Sequence, residues 1–277
     1  MKELEDQSWF PDSLRNFQTE YIGYVVSRFN IYGPFIEIFK EKKLGLMYDL
    51  CSGCGQPALS IFKQSKNFQR LSLSDKFPYA FGSEYPDVEY IKESKDVLNM
   101  DFEAGKTYTM FNAFHHFSED EQKTICLKIR EANASAYFVE ILFPSLLHLL
   151  KILIATTVGV LILSPFIKPF SWKRILFTYT IPVNILTISI DGIISVLKSK
   201  TVKQYQKTLK LSGLNVFEIN NDASKGTLYG TYFNGKVKKK EDIVKGMKKG
   251  MKGFKERYGE RAKEVMYATA TKQAMKD

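Results

Sequence analysis

A short glycine-containing segment near position 50 contains residue types that can hold a ligand. Its sequence is Tyr48-Asp49-Leu50-Cys51-Ser52-Gly53-Cys54-Gly55. Glycine accepts positive φ angles and lets a ligand come close to the backbone. A helix is predicted to begin just after the segment, and the first N–H groups of a helix have no partner within it. The segment therefore predicts a binding turn with contact residues at Cys51, Ser52, Gly53 and Gly55.

Asp49, at the entrance of this turn, separates two classes of cofactor. Gly53, Gly55 and Ala58 fit the G-x-G-x-x-A pattern of nicotinamide dinucleotide sites, and Asp75 follows about 20 residues later. A carboxylate at the mouth of the turn would repel a pyrophosphate, whereas it would attract the ammonium and sulfonium groups of S-adenosylmethionine. We therefore predict S-adenosylmethionine as the cofactor and keep a nicotinamide cofactor as the alternative.

Two further acids follow predicted strands in the same way. Asp75 follows the stretch Arg70–Ser74, and Asp96 follows the stretch Val88–Lys92. Asp75 is placed to accept hydrogen bonds from ribose hydroxyls, and Asp96 from an adenine amino group. A single aspartate of this kind is usually a surface turn residue. Three acids at successive strand ends, Asp49 included, instead predict one shared binding edge, because ligands of open α/β sheets bind at the carboxyl ends of the strands.

Two adjacent histidines, His115 and His116, lie just beyond a fourth predicted strand. A histidine can act as a general base because its usual pKa lies near neutral pH. The alternative is that one imidazole packs or caps while the other lines the cofactor cleft. Methyl transfer from a sulfonium depends mainly on proximity and in-line geometry, so it requires no obligatory catalytic residue.

Two apolar runs, Ile152–Ile167 and Ile175–Ile190, contain no charged residue and are separated by the basic, aromatic turn 168–174. Each run is slightly shorter than the roughly 18–20 residues that cross a bilayer. Three interpretations remain open. The runs form a helical hairpin that is buried against the domain or builds a substrate pocket, a segment that enters one leaflet, or a pair of spanning helices.

Asp191 directly follows the second apolar run and is a further candidate site residue. An unpaired carboxylate beside so apolar a stretch would be costly to bury. We expect Asp191 either to pair with Lys173 or Arg174, or to contact a substrate in a polar pocket.

Short apolar strands alternate with helices along most of the chain, which predicts a mostly parallel α/β sheet with helices on both faces. Strands are expected at Leu44–Leu50, Arg70–Ser74, Val88–Lys92, Tyr108–Asn112, Ala136–Leu142, Leu214–Ile219 and Thr227–Phe233. Helices are expected in two stretches within Ser13–Phe39, and at Pro57–Gln64, Ser118–Ala132 and Val202–Leu211. A capping box opens the helix at Ser118. The last two strands predict a hairpin with an antiparallel C-terminal edge strand.

These motifs together resemble a bacterial family of class I S-adenosylmethionine-dependent methyltransferases. The matching segments are Asp49 to Pro57, Leu73-Ser74-Asp75, Phe111 to Phe117 and Asp191-Gly192-Ile193-Ile194-Ser195. The resemblance implies a Rossmann-like sheet and cofactor contacts at Asp49, Gly53, Gly55, Asp75, Asp96 and Asn112. It implies no particular substrate. The chain departs from the commoner class I turn at Cys51, and from glycine-rich variants of the family's turn at Cys54.

The composition limits the class of protein. Its 277 residues are 44% hydrophobic, which allows a full core and excludes a disordered or fibrous chain. The three cysteines, Cys51, Cys54 and Cys126, are too few for a disulfide framework and lack partners for a structural zinc site. The C-x-x-C spacing of the first two also fits a thiol redox motif. Because the first ten residues contain no signal sequence, we expect a cytoplasmic location.

The net charge of +10 is concentrated at the end of the chain. Residues 236–277 contain 14 Lys/Arg and 6 Asp/Glu. Apolar residues recur among them at helical spacing, at Val244, Met247, Met251, Phe254 and Tyr258. A basic amphipathic helix of this kind fits a membrane surface, and docking on the domain is the alternative.

We therefore expect an N-terminal helical cap at 1–43, a methyltransferase domain at 44–235 with an apolar insert at 143–197, and a basic helix at 236–277. The leading hypothesis is transfer of a methyl group from S-adenosylmethionine to a hydrophobic or membrane-resident small molecule. The alternatives are a membrane-associated binding protein without turnover and an NAD-dependent oxidoreductase. A nucleic acid is not the expected partner, since only the basic tail supports it.

Overall fold

A seven-stranded sheet forms the centre of the protein. A computed structural model describes residues 2–33, 35–36, 45–80, 82, 85–209, 215–220, 229–234 and 265. The strands are β1 (Gly45–Leu50), β2 (Phe68–Ser74), β3 (Val88–Tyr90), β4 (Lys106–Phe111), β5 (Ser135–Glu140), β6 (Asn215–Asn220) and β7 (Tyr229–Asn234). They lie side by side in the order β3-β2-β1-β4-β5-β7-β6.

The first five strands run parallel, and the last two complete the sheet as a hairpin. β1 pairs with β2 and β4, which places Asp49 opposite Leu73 on one side and Thr109 on the other. β7 pairs antiparallel with both β5 and β6. The predicted Rossmann-like fold class is confirmed, with one refinement. The antiparallel strand is β7, which lies between β5 and β6, so the outermost strand is β6.

Seven helices are described along the chain. They are α1 (Asp12–Arg28), α2 (Ala58–Ser65), α3 (Glu119–Glu131), α4 (Leu146–Phe166), α5 (Trp172–Tyr179), α6 (Val183–Lys198) and α7 (Val202–Leu209). The capping box before α3 is confirmed, since the side chains of Ser118 and Glu121 each accept a hydrogen bond from the other's N–H. Most of the second helical stretch predicted before Phe39 lies outside the described residues. So does the tail 236–277, apart from Val265.

The core lies on both faces of the sheet, because successive strand residues point to opposite sides. On one face, Leu71 and Leu73 of β2 pack in a cluster with Ile61 of α2. On the other face, Met110 of β4 packs in a cluster with Ile125 of α3. All five side chains are completely buried. This packing fixes the carboxyl ends of β1, β2 and β4, where the predicted site residues lie.

The insert consists of α4, α5 and α6 and leaves much of its apolar surface uncovered. α4 has 21 residues with a mean hydropathy of 2.3 and is long and apolar enough to cross a membrane, yet only 11% of its apolar window is buried. α5 and α6 meet at a bend of 78° and pass the same test together. Of the three interpretations of these runs, a hairpin that is buried on all sides does not fit the outer face, since Leu147 is 65% and Trp172 is 77% exposed.

Polar side chains are buried on the inner side of the insert. They include Thr156, Ser164, Arg174, Thr178, Asn184, Ser189 and Asp191. The guanidinium of Arg174 lies 2.5 Å from the carboxylate of Glu20 in α1 and donates to the carbonyls of Ile167 and Pro169. The expected pair between Arg174 and Asp191 is wrong, because Glu20 and the carbonyls of its own turn occupy this guanidinium.

Candidate functional site

The turn after β1 has the backbone geometry that its glycines predict. Cys51, Gly53 and Gly55 have positive φ angles of 54°, 49° and 89°. A Cβ atom at position 53 would lie 2.1 Å from the hydroxyl oxygen of Thr19 in α1. Glycine is therefore required at position 53 both by its φ angle and by the close approach of α1.

The backbone N–H groups of residues 52–55 in this turn have acceptors within the protein. Four consecutive groups donate as follows: Ser52 to the Ser74 carbonyl at 3.0 Å, Gly53 to the Asp75 carboxylate at 2.9 Å, Cys54 to the Thr19 hydroxyl at 2.8 Å, and Gly55 to the Ser52 carbonyl at 2.7 Å. Glycine-rich turns that bind phosphates leave such groups free for the ligand. The turn is therefore poorly suited to a pyrophosphate.

Two buried carboxyl groups lie next to the turn. Asp49 is beneath it, 3% exposed, and accepts a hydrogen bond from the Thr109 hydroxyl at 2.6 Å. Burial raises the pKa of Asp49 to about 7. Asp75 is beside the turn and accepts from the N–H groups of Gly53 and Phe77, both at 2.9 Å. Burial raises the pKa of Asp75 as well. Each carboxylate oxygen of Asp75 has a second lone pair that can accept a further hydrogen bond.

A cavity of about 270 Å³ opens beside the turn, and we call it the cofactor cavity. Seven predicted site residues line it, namely Cys51, Ser52, Gly53, Asp75, Asp96, Asn112 and His116. The other four predicted residues do not line the cavity, namely Asp49, Gly55, His115 and Asp191. The structure therefore brings most of the predicted site together around one cavity at the carboxyl edge of the sheet.

Asp96 and Asn112 contribute from two different loops. Asp96 accepts from the ammonium of Lys76 at 2.9 Å and from the N–H of Leu98 at 3.0 Å. Burial opposes ionisation of this carboxyl, but the bond from Lys76 outweighs it and holds the pKa of Asp96 below its usual value. Asn112 has a φ of 52°, and its N–H donates to the Val139 carbonyl at 2.7 Å. Local bonds thus hold the side chain of Asp96 and the backbone of Asn112 in place before any ligand binds.

The two histidines contact carboxylates. The His115 side chain is completely buried, and its Nδ1 lies 2.6 Å from the carboxylate of Glu140 at the end of β5. Nδ1 of His116 lies 3.0 Å from Asp6, and its Nε2 lies 3.3 Å from Glu3. Burial opposes a charged imidazole, but Glu3 and Asp6 outweigh it and raise the pKa of His116 to about 10. His116 is therefore a hydrogen-bond donor near neutral pH, which does not suit a general base.

Residues 2–6 form a wall of the cofactor cavity that the sequence analysis did not anticipate. Glu5 and Asp6 of this segment line the cavity. The N–H groups of Leu4 and Glu5 donate to the carboxylate of Asp191 at 2.6 and 3.1 Å. Asp191 lies on α6 and does not line the cavity, and it thus holds residues 2–6 against this helix. The sequence shows three acids among the first six residues. No nearby motif indicates which part of the fold these acids contact.

Helix α1 brings two further residues to the site. Thr19 accepts from Cys54, and the guanidinium of Arg15 lies 3.8 Å from the centre of the Phe77 ring. Arg15 also donates to the carbonyl of Glu5, which ties the N-terminal segment to α1. Neither residue belongs to a motif, so the sequence offered only the helical pattern of this region as a signal.

The cysteines of the turn are not arranged for redox chemistry. Cys51 and Cys54 are free thiols, and Cys54 Sγ donates to the Thr19 carbonyl at 3.1 Å. Burial raises the pKa of both thiols, whereas a reactive cysteine has a lowered pKa. The alternative interpretation of the C-x-x-C spacing as a redox motif is therefore disfavoured.

The fold resembles that of several solved structures, although no protein-family model and no curated protein matches the chain. Human N-acetylserotonin methyltransferase in complex with SAM is 13% identical with a TM-score of 0.40, over 68% of this chain and 46% of that one. The pyocyanin biosynthetic protein PhzM is 13% identical with a TM-score of 0.42, over 72% and 53%. An O-methyltransferase family protein from Burkholderia thailandensis is 10% identical with a TM-score of 0.40, over 73% and 55%. The chain spans about half the length of these proteins, and the likeness concerns the fold alone.

Proposed function

We propose that this protein binds S-adenosylmethionine in the cofactor cavity and transfers its methyl group to a hydrophobic acceptor at a membrane surface. The proposal that S-adenosylmethionine binds here rests on the surroundings of the turn after β1. Its N–H groups already have acceptors, and the carboxyl groups of Asp49 and Asp75 lie next to it. A pyrophosphate needs free donors and is repelled by carboxylates. A sulfonium and an ammonium are favoured in the same surroundings.

The proposed contacts follow the positions of the lining residues. Asp75 accepts hydrogen bonds from the ribose hydroxyls, and Asp96 accepts one from the adenine amino group. Asn112 and the backbone of residues 51–53 contact the methionine part. When bound, the cofactor would supply an electrophilic methyl group, and in-line approach of the acceptor to it would be favoured by proximity in the cavity. His116 holds the N-terminal wall of the cavity through Asp6 and Glu3, since both of its ring nitrogens face these carboxylates.

The insert supports a membrane-resident acceptor. Its helices expose many apolar side chains and bury several polar ones, which is unusual for helices surrounded by water. The exposed residues in and just after the turn between α4 and α5, Lys168, Phe170, Trp172 and Lys173, are of the types that contact lipid headgroups. Ser195 of α6 lines the cofactor cavity, so the insert connects the apolar face with the cavity. A cytoplasmic protein held at the membrane surface by this face is the arrangement we propose.

Calorimetric titration with S-adenosylmethionine, S-adenosylhomocysteine and NAD tests the cofactor. We expect the first two to bind and NAD not to bind. Asp75→Asn should weaken binding by about 10-fold or more, since it removes a charged acceptor. The matched control is Asp87→Asn, an exposed aspartate just before β3. Binding of NAD alone would favour an oxidoreductase, and binding of none would favour a non-catalytic membrane-associated protein.

Flotation with vesicles that contain anionic lipids tests the membrane surface. We expect the protein to float with them, and the double variant Leu147→Ser, Ile162→Ser to float less. Leu127→Ser is the control, because Leu127 is 40% exposed but lies on α3. Incubation with methyl-labelled cofactor and a lipid extract should label the organic phase. Labelling of water-soluble acceptors alone would contradict the proposed acceptor class.

A further inference from the structure

Glu3, His115 and His116 form a compact cluster of side chains at the N-terminal segment. Nε2 of His115 lies 3.8 Å from one carboxylate oxygen of Glu3, and Nε2 of His116 lies 3.3 Å from the other. Ligand atoms from all three residues lie within 4.8 Å of one another. The side chains of Glu3 and His115 are 1% and 0% exposed. Imidazole nitrogens with a carboxylate oxygen are the donor types that first-row transition metals prefer.

Nε2 of His115 is a buried polar atom without a hydrogen-bond partner among the described residues. The other ring nitrogen, Nδ1, lies 2.6 Å from the Glu140 carboxylate. A carboxylate at that distance holds the ring proton on Nδ1 and leaves the Nε2 lone pair free. This lone pair faces the carboxylate of Glu3, 3.8 Å away, and a bound cation between the two would satisfy it.

Both imidazoles have the outer contact that is typical of metal-binding histidines. Glu140 lies at Nδ1 of His115, and Asp6 lies at Nδ1 of His116. Metal-ligating histidines almost always donate their other N–H to a carboxylate, a carbonyl or water, which orients the ring. Glu3 is oriented too, because its carboxylate accepts from the Ser195 hydroxyl at 2.9 Å. Each of the three ligand side chains therefore has a partner that fixes its direction.

The charge around the cluster also favours a divalent cation. Four carboxyl groups lie within 4 Å of the two imidazoles, and they belong to Glu3, Glu5, Asp6 and Glu140. In the metal-free protein Lys198, which pairs with Glu3 at 3.2 Å, and the imidazole of His116 supply positive charge. Buried carboxylates require compensation by cations or by bound protons. A divalent ion supplies this compensation at the centre of the cluster.

We propose that Glu3, His115 and His116 bind a first-row divalent transition-metal ion, and that zinc is one occupant. Around tetrahedral zinc, with bonds of about 2.0–2.1 Å, neighbouring ligand atoms lie about 3.3–3.4 Å apart. Nε2 of His116 lies at this distance, 3.3 Å, from one oxygen of Glu3, whereas Nε2 of His115 lies 3.8 Å from the other, so an ion would draw the three ligand atoms slightly together. Three protein ligands leave one position for water. The ion joins residue 3 to the turn after β4, so it fastens the N-terminal wall of the cofactor cavity.

Metal binding is measured on the full-length protein without a histidine tag, after treatment with a chelator and dialysis. We expect one zinc ion per chain, and visible absorption bands of a low-coordinate site when cobalt(II) is added instead. Glu140→Gln should weaken zinc binding by about 10–100-fold, and Glu3→Gln and His116→Gln should weaken it more. His148→Gln is the matched control, because His148 is the third histidine of the chain and lies on α4.

Thermal unfolding provides a second measurement. Zinc should raise the Tm of the wild-type protein and of His148→Gln, but not of Glu3→Gln. Glu3 lies outside the helices and strands, so circular dichroism should show an intact fold in Glu3→Gln. Equal zinc affinity in wild type and Glu3→Gln, or no stoichiometric zinc binding by folded wild type, would overturn the proposal. Neither result depends on whether S-adenosylmethionine binds.

Discussion

In the sheet and its flanking helices, most buried side chains are apolar and most charged side chains are exposed, apart from groups at the site such as Asp49 and Glu140. Leu71 and Ile125 are completely buried, whereas the side chain of Asp120 is 93% exposed. The insert differs in two ways, because buried polar side chains such as Arg174 lie beside buried apolar ones such as Ile188, and because many apolar side chains are exposed, Leu146 at 73% and Trp172 at 77%. The hydrophobic effect in water explains the first distribution. The insert is stabilised inside by both polar and apolar contacts, while its outer apolar face gains nothing from burial in the described structure.

This difference in exposed apolar surface predicts different responses to substitution. Removing a completely buried apolar side chain should damage the sheet, removing the buried guanidinium of Arg174 should damage the insert, and removing an exposed apolar side chain of the insert should have little effect in water. Three substitutions test this difference between the sheet and the insert, and each is compared with a matched control.

Arg174→Met should have the largest effect, because it leaves the buried carboxylate of Glu20 without its cation. Breaking a buried ion pair in this way typically costs about 3–5 kcal/mol. The double variant Arg174→Met, Glu20→Gln should recover part of the loss, and Lys173→Met, at an exposed neighbouring position, should stay within about 0.5 kcal/mol. Denaturant unfolding measures all three. A loss in Lys173→Met equal to that in Arg174→Met would remove the distinction between the two sides of the insert.

Leu71→Ala and Leu186→Ala compare the same substitution in the two regions. Leu71 in β2 is completely buried, and Leu186 in α6 is 59% exposed. The first should lower the free energy of unfolding by about 2–5 kcal/mol, and the second should change it by no more than about 0.5 kcal/mol. Urea unfolding in the absence of lipid gives both values. If Leu186→Ala were as costly as Leu71→Ala, the outer face of the insert would be packed against protein.

Asp49→Asn tests a buried carboxyl of the sheet that has a hydroxyl, and not a cation, as its partner. Burial raises the pKa of Asp49 from 3.8 to about 7. Between these values the folded chain keeps a proton that the unfolded chain has lost, so the free energy of unfolding falls as pH rises. From about pH 5 to pH 8 this group should remove about 2–3 kcal/mol.

Denaturant unfolding at both pH values measures this contribution. Wild type and the exposed control Asp87→Asn should lose stability equally over the interval. Asp49→Asn should lose less by the stated amount, because its side chain does not titrate. The same pH dependence in all three proteins would show that Asp49 ionises normally in the folded chain.

The sheet was predictable from sequence because its signals are local. The central strands contain short apolar stretches that end in polar residues, and the structure places β1 at Gly45–Leu50 where Leu44–Leu50 was expected. The cavity residues from Cys51 to Gly53 followed from the same strand end. The outward face of the insert was not predictable, because an apolar run has the same sequence pattern in a protein core and in lipid.

Contacts between distant parts of the chain were also beyond prediction. Leu4 donates a hydrogen bond to Asp191, which lies 187 positions later in the sequence, and Arg174 donates one to Glu20, which lies 154 positions earlier. Neither pair has a repeating pattern or a motif to mark it. The role of the first six residues at the cavity therefore emerged only from the folded structure.

The place of the insert in the chain also sets the order of events on the ribosome. β5 is synthesised before the insert, whereas β7, which pairs with it, is synthesised after. At synthesis rates of roughly 5–20 residues per second, β5 remains without its β7 partner for roughly 5–20 seconds while the intervening residues are synthesised. The nascent chain thus presents its apolar helices to lipid or to a chaperone before the sheet is closed.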